Sequence, residues 1–281
     1  MNYKQNQTLW ISHSAISDFG ACPKLYYYKS LYRSSLTNNR IQVASPYLTL
    51  GSAVHQALEE LSGLPPKERF KASLIKRFEK IWKETAGKKG GFVDLDQEEA
   101  FKKRGKKMLK KVQDNPHVIE NPSYSSNGSF PKVKLFGDKE IVLVGNIDWV
   151  EILPSGGLHI IDFKTGKNEE KQGSLQLPIY LILATYNFER PIEKFSYWYL
   201  DKDDGPKTVE LEPLQSYIPI IREKALSIEK AIEDGQFTCQ SNYRSCFKCR
   251  EYDNVVRGSA EYVGYDGERG KDLFFVNKNK I

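Results

Sequence analysis

An Asp-x-Lys triplet, Asp162 to Lys164, and an earlier aspartate, Asp148, are the residues of this chain whose types and spacing best suit chemistry. Residues 145–164 read as a β-hairpin, with apolar-rich runs at 141–152 and 158–163 flanking the turn-forming cluster Pro154-Ser155-Gly156-Gly157. Side chains alternate along a strand, so Asp162 and Lys164 share one face while Ile161 and Phe163 take the other. With Ile152 opposite Leu158, Asp148 falls opposite Asp162. Cross-strand neighbours have Cβ atoms roughly 5 Å apart, and like charges so placed repel. A divalent cation turns that repulsion into coordination, and Mg²⁺ and Mn²⁺ prefer carboxylate oxygens. For an isolated Asp-x-Lys, the competing reading is a salt bridge on a solvated strand.

The elements that must position these groups follow from the pattern around them. Residues 12–33 hold a helix that Ser14 can cap, interrupted at Cys22-Pro23. Tyr26, Tyr27 and Tyr28 then interleave with Lys24, Lys29 and Arg33. Such a surface suits either stacked bases with neutralised phosphates or half-buried tyrosines with wet hydroxyls. Residues 49–61 read as a helix with Val54, Leu58 and Leu61 on its apolar stripe and His55 beside it. A lone histidine there is usually structural, and its weight depends on whether it meets the aspartates. Residues 56–117 form a charged helical insertion, opened at Pro65-Pro66 and continued by a helix capped at Asp96. That second helix carries Lys102, Lys103, Arg104, Lys106, Lys107, Lys110 and Lys111, a solvated face or a phosphate-contacting wall. Residues 118–139 are turn-rich with room for an edge strand.

After the hairpin, Ser174 caps an apolar helix in which Gln176 and Tyr180, four apart, share a face. Residues 193–200 and 207–211 alternate as strands, and Pro213 starts a long helix ended by Gly235. Residues 236–252 hold three of the four cysteines, and 257–281 read as a poorly ordered tail apart from the apolar residues 273–276. The expectation is one domain over 1–256. A chain of 281 residues can bury a sizeable core. Hydrophobic content of 40% and aromatic content of 12% mark a folded protein, and the net charge of +6 is compatible with polyanion binding. No apolar run approaches the ~20 residues needed to span a bilayer, and the polar start is no signal peptide. Four cysteines do not make a disulfide framework, so a reducing cytoplasm is expected. No P-loop motif occurs, which excludes a motor in this chain.

In order, the chain presents S-H-S-A-I-S-D-F-G-A-C-P at 12–23, G-S-A-V-H at 51–55, G-N-I-D at 145–148, I-D-F-K-T-G at 161–166, Q-L-P-I-Y at 176–180 and C-F-K-C at 246–249. This series resembles the RecB/AddB-type branch of the PD-(D/E)XK nuclease superfamily, which includes CRISPR-adaptation nucleases with an iron–sulfur cluster. The resemblance implies an α/β, restriction-endonuclease-like core: a mixed central sheet flanked by helices, with a helical insertion and a cysteine-containing C-terminal segment packed on the N-terminal helix. It implies His55, Asp148, Asp162 and the Phe163 carbonyl as ligands of Mg²⁺ or Mn²⁺. Lys164 would orient the attacking water, and Gln176 and Tyr180 would fix Lys164 or the nucleic acid. The implied activity is a metal-dependent deoxyribonuclease, an exonuclease on single-stranded DNA or DNA ends in repair or recombination. A helicase or recombination partner would present the strand. The rival is a non-catalytic DNA-binding subunit of a repair or CRISPR-adaptation complex. The family pattern also pairs one early cysteine with three late ones. Cys22, Cys246 and Cys249 match it, but its final position falls on Val255, leaving Cys239 as the remaining thiol. The resemblance thus points to a four-thiolate site holding a [4Fe–4S] cluster, with Zn²⁺ or simple burial as alternatives.

Overall fold

The computed structural model describes residues 8–124, 131–134, 141–239, 246–267 and 269–277. Strand β1 (Leu9–Ile11) leads into α1 (His13–Ala21), whose cap is Ser12 rather than Ser14: the Ser12 hydroxyl accepts from the Ala15 N–H at 3.2 Å. Cys22 is extended (φ −170°, ψ 121°), as a residue before proline should be, and Pro23 opens the short helix α2 (Pro23–Tyr26). A π-helical turn, Tyr27–Leu31, and strand β2 (Arg40–Val43) follow. Helix α3 (Pro46–Ser62) starts a turn earlier than its apolar stripe suggests, because Pro46 fits its first position. Helix α4 (Leu74–Lys83) is capped by Ser73, and α5 (Leu95–Asp114) by Asp94 instead of Asp96; the Asp94 carboxylate accepts from the Gln97 N–H at 2.7 Å.

Strands β3 (Lys132–Lys134) and β4 (Ile141–Val144) precede the hairpin β5 (Trp149–Ile152) and β6 (Leu158–Lys164). The strand expected within 118–139 is β3; the rest of that stretch lies partly outside the described residues. Helix α6 (Gln176–Asn187) then crosses to β7 (Ile192–Tyr199), β8 (Lys207–Thr208), α7 (Leu214–Glu233) and α8 (Phe247–Val256). Two strands close the chain, β9 (Glu261–Asp266) and β10 (Lys271–Phe275). The described part of 257–281 thus holds two paired strands, where the sequence suggested a poorly ordered tail apart from the apolar residues 273–276. β10 pairs in parallel with β2 and antiparallel with β9, a long-range ladder that local composition does not reveal.

The strands form three ladders, β1-β4-β3, β2-β10-β9 and β5-β6-β7-β8, so this is a mixed α/β fold with mixed sheets flanked by helices. The four-stranded ladder is sandwiched, which explains why β6 is apolar on both faces. Leu158, Ile160, Phe195 and Tyr199 face α6 and α7. Ile161, Phe163, Trp149 and Trp198 face α3, α4 and α5. The helices of 56–117 thus supply one layer of the core. Buried Arg69 fastens that layer: it lies over the Trp149 ring at 4.8 Å and donates to the Asn121 carbonyl at 2.9 Å and the Ser123 hydroxyl at 2.7 Å. Beside it, His159 joins Glu151 (2.7 Å) and Ser196 (2.8 Å) in a fully buried polar chain. Ser196 is 0% exposed, so this chain serves the core and not a substrate. No helix among the described residues is long and apolar enough to cross a membrane.

Candidate active site

The hairpin register is Ile152↔Leu158 through Trp149↔Ile161, which places Asp148 just beyond the ladder, beside Asp162. Asp148 Oδ2 accepts from the Phe163 N–H at 2.9 Å, so the strand end itself aims this carboxylate. From α3, in the layer on one side of the sheet, His55 Nδ1 meets Asp148 Oδ1 at 3.2 Å. Its ring stands edge-on to Phe163, with centroids 6.3 Å apart. From α6, on the other side, Gln176 reaches the second carboxylate. Its Nε2 donates to Asp162 Oδ1 at 2.6 Å and to the Tyr180 hydroxyl at 3.2 Å, while its Oε1 accepts from Lys164. The amide is thereby matched to its neighbours, oxygen toward the ammonium and nitrogen toward the carboxylate.

Asp162 is 1% exposed. Lys164 Nζ stands 2.9 Å from Asp162 Oδ2 and 3.1 Å from Glu170 Oε2, over the Tyr197 ring at 4.9 Å. The Asp162 contact is an ion pair without hydrogen-bond alignment, so Oδ2 remains a buried acceptor with no directed donor. Such an atom suits a cation ligand, and with two carboxylates and an imidazole the donor set fits Mg²⁺ or Mn²⁺. Burial, then the Asp148 charge, pushes the Asp162 carboxyl up to about 7. Burial opposes charge on His55, but Asp148 outweighs it and raises the imidazole to about 9. Burial likewise opposes charge on Lys164, and Asp162 and Glu170 overcome it, so its pKa is raised. Burial drives Tyr180 well above the usual phenol range, keeping its hydroxyl protonated.

His55, Asp148, Asp162, Lys164, Gln176 and Tyr180 thus form one connected cluster, with Phe163 contributing its N–H and ring. The His55, Asp148 and Asp162 donor atoms pair with neighbours instead of closing into a compact ligand set. Among the described residues, the group of three or more His, Cys, Asp or Glu side chains at metal-binding spacing is Cys22, Cys239, Cys246 and Cys249, whose sulfurs all lie within 4.8 Å of one another. Two nearby residues escaped the sequence reading. Glu170 comes from the polar loop after β6, and its own N–H donates to the Tyr199 hydroxyl at 2.9 Å. His13, at the start of α1, is lowered by burial, while Glu170 raises it and Lys164 lowers it further. A loop carboxylate carries no periodic signal; His13 sat inside a quoted motif without a role.

The cationic face of α5 is largely committed to ion pairs: Arg104 with Asp201 (2.7 Å), Lys106 with Glu79 (2.6 Å), Lys110 with Asp114 (2.8 Å) and Lys111 with Asp204 (3.6 Å). Cations also line a cavity of about 1290 Å³ between the N-terminal helices and the β2–β10 pair: Lys24, Lys29 and Arg269, which pair with Asp253, Asp18 and Asp266, and Arg33, Arg40 and Lys271. Burial, with Arg40, Lys29 and Arg269 beside it, pushes Lys271 down to about 8.

A sandwiched hairpin ending in two carboxylates and a lysine, braced by a histidine from one helical layer and a glutamine–tyrosine pair from the other, places this protein among mixed α/β folds of restriction-endonuclease type. A family model of the PD-(D/E)XK nuclease superfamily matches residues 10–252, and the chain belongs to that superfamily. Its members are generally metal-dependent nucleases. None of the curated proteins compared with the chain matches it.

Proposed function

We propose that this chain is a metal-dependent deoxyribonuclease of the RecB/AddB-type branch, hydrolysing phosphodiesters of single-stranded DNA or DNA ends during repair or recombination. The observation that carries the reading is the Asp162–Lys164–Gln176 network, in which a lysine is held charged beside a buried carboxylate whose Oδ1 accepts from Gln176 while its Oδ2 has only the lysine ion pair. A divalent cation held by His55, Asp148 and Asp162 would supply Lewis acidity, neutralising the phosphate and lowering the pKa of the attacking water. Lys164 orients that water and stabilises charge on the phosphate, and Gln176 fixes the Lys164 ammonium. Tyr180 anchors Gln176, and Glu170 with Tyr197 restrains Lys164 on its remaining sides. The basic cavity supports a strand path, since the exposed Trp10 lines it together with its cations and offers a stacking surface.

The test incubates the purified chain with end-labelled single-stranded, linear duplex and closed circular duplex DNA, each with Mg²⁺, Mn²⁺ or a chelator. Metal-dependent loss of the single-stranded and linear DNA, with the closed circle spared, is the expected outcome. Binding without cleavage in either metal would favour the non-catalytic DNA-binding subunit.

A further inference from the structure

Cys22 sits at the extended junction of α1 and α2, Cys239 follows α7, Cys246 caps α8, and Cys249 lies in its first turn. These points are up to 227 residues apart in the chain, yet Cys22 and Cys249 sulfurs are 3.3 Å apart and Cys246 and Cys249 sulfurs 3.5 Å. Every pair of the four falls within 4.8 Å. Cys22 and Cys249 are each 2% exposed, walled by Tyr28, Ile41, Val43, Tyr252 and Val255.

Those separations measure what the sulfurs can share. Four thiolates around one tetrahedral zinc, with Zn–S near 2.3 Å, stand about 3.8 Å from one another. In a [4Fe–4S] cubane each thiolate binds a different iron outside a core of irons and sulfides, so thiolates are roughly 6 Å apart. A [2Fe–2S] cluster likewise holds its two thiolate pairs roughly that far apart. The observed range brackets the single ion and falls short of either cluster.

The seat is also fastened against widening. Tyr28 and Tyr252 stack with centroids 6.2 Å apart and planes 12° from parallel. The Tyr28 hydroxyl donates to Asp253 at 2.6 Å, Lys24 pairs with Asp253 at 2.9 Å, and Lys248 donates to the Ala21 carbonyl at 3.1 Å. Each of these contacts ties the Cys22 segment to α8. Moving Cys22 and Cys249 to cluster spacing would pull them apart together. The position that the family pattern gives to a last cysteine holds Val255, packed into the same apolar wall, and Cys239 completes the set of four sulfurs.

We infer that Cys22, Cys239, Cys246 and Cys249 bind a single tetrahedral zinc ion, not the iron–sulfur cluster that the family resemblance implies. With four protein thiolates and no open position, the ion is structural and clamps the N-terminal helices to α8. This goes beyond the nuclease reading and stands apart from it, because the test measures no cleavage.

The full chain is produced anaerobically in medium holding both iron and zinc, and iron, zinc and acid-labile sulfide are counted on one sample. The expected result is a colourless protein with about one zinc per chain and iron and sulfide near zero. Iron with matching sulfide and visible absorbance would overturn the inference, as would iron without sulfide or a metal-free chain. Exchange of the ion for Co²⁺ gives a second readout: tetrahedral thiolate ligand-field bands are expected in the wild type and in Asp162→Ala. They are expected to be lost in Cys239→Ser, and bands unchanged there would remove Cys239 from the site. Should Cys239→Ser fail to fold, the metal count on the wild type still decides.

Discussion

Asp162 and Lys164 hold different proposed roles at one place, metal ligand and water-orienting cation, and their substitutions should separate cleavage from binding. Asp162→Ala and Lys164→Ala are each expected to lower the cleavage rate by about 10²-fold or more, the usual cost of losing one positioned electrostatic group. DNA affinity should persist, because the cations proposed to hold the strand line a cavity that includes neither residue. Single-turnover cleavage beside a binding titration checks this, and near-wild-type turnover in either variant would remove the hairpin from the chemistry. The same residues set a pH dependence. His55 and Asp162 have folded-state values raised to about 9 and about 7. Their contribution to the stability of metal-free protein is therefore complete below their ordinary values and is lost as pH rises through about 7 and then about 9. A cation needs both groups deprotonated, so its binding releases protons. Mn²⁺ affinity should climb with pH, displacing about two protons per ion below pH 7 and about one between 7 and 9. Calorimetry in buffers of different ionisation enthalpy counts those protons; a pH-independent affinity would place the cation elsewhere.

At the scale of elements, the hairpin was readable because β-alternation and a turn cluster fix register together: Ile152↔Leu158 follows from both. The glutamine–tyrosine face of α6 was readable for a similar reason, a four-residue spacing on an apolar helix. Caps were less legible, since Ser12 and Ser14, or Asp94 and Asp96, are chemically equivalent and tertiary packing chooses between them. The cationic face of α5 was visible but its meaning was not, because three of the four acids that pair with it come from α4 and from the loop after β7. The basic cavity was half visible: Lys24, Lys29, Arg33 and Tyr26 to Tyr28 line it, but Arg40, Arg269 and Lys271 join them only because β2 and β10 meet in the folded chain. This contrast makes a prediction. Replacing Arg40 and Lys271 together by alanine should flatten the slope of log affinity against log salt for single strands by about 0.7 per lost phosphate contact. Replacing Lys106 and Lys110, already paired with Glu79 and Asp114, should leave the slope near that of the wild type. The reverse pattern would return the strand path to α5.

For the whole molecule, the ends of the chain matter more than their composition suggests. β10 lies between β2 and β9, and Leu273, Phe274, Phe275 and Val276 are all less than 9% exposed. Burying an apolar side chain of this size contributes about 1.5–3 kcal/mol, an upper estimate because the unfolded chain is itself partly compact. Four of them approach the ~5–15 kcal/mol by which a whole domain is stable. Phe274 and Val276 also pack in the cluster that holds Cys22, Cys246 and Cys249, and Arg269 and Lys271 line the basic cavity. Ending the chain after residue 256 would therefore strip a partner strand from β2, open the cysteine wall and remove two cations at once. The expected outcome is a large drop in melting temperature or loss of soluble protein, with weaker DNA binding in whatever folds. A gentler variant isolates the packing from the charge: Phe274→Ala keeps Arg269 and Lys271 and should cost about 3–5 kcal/mol. Denaturant titration of that variant reads the cost, and a truncated chain as stable as the full one would show that the β2–β10 ladder is dispensable.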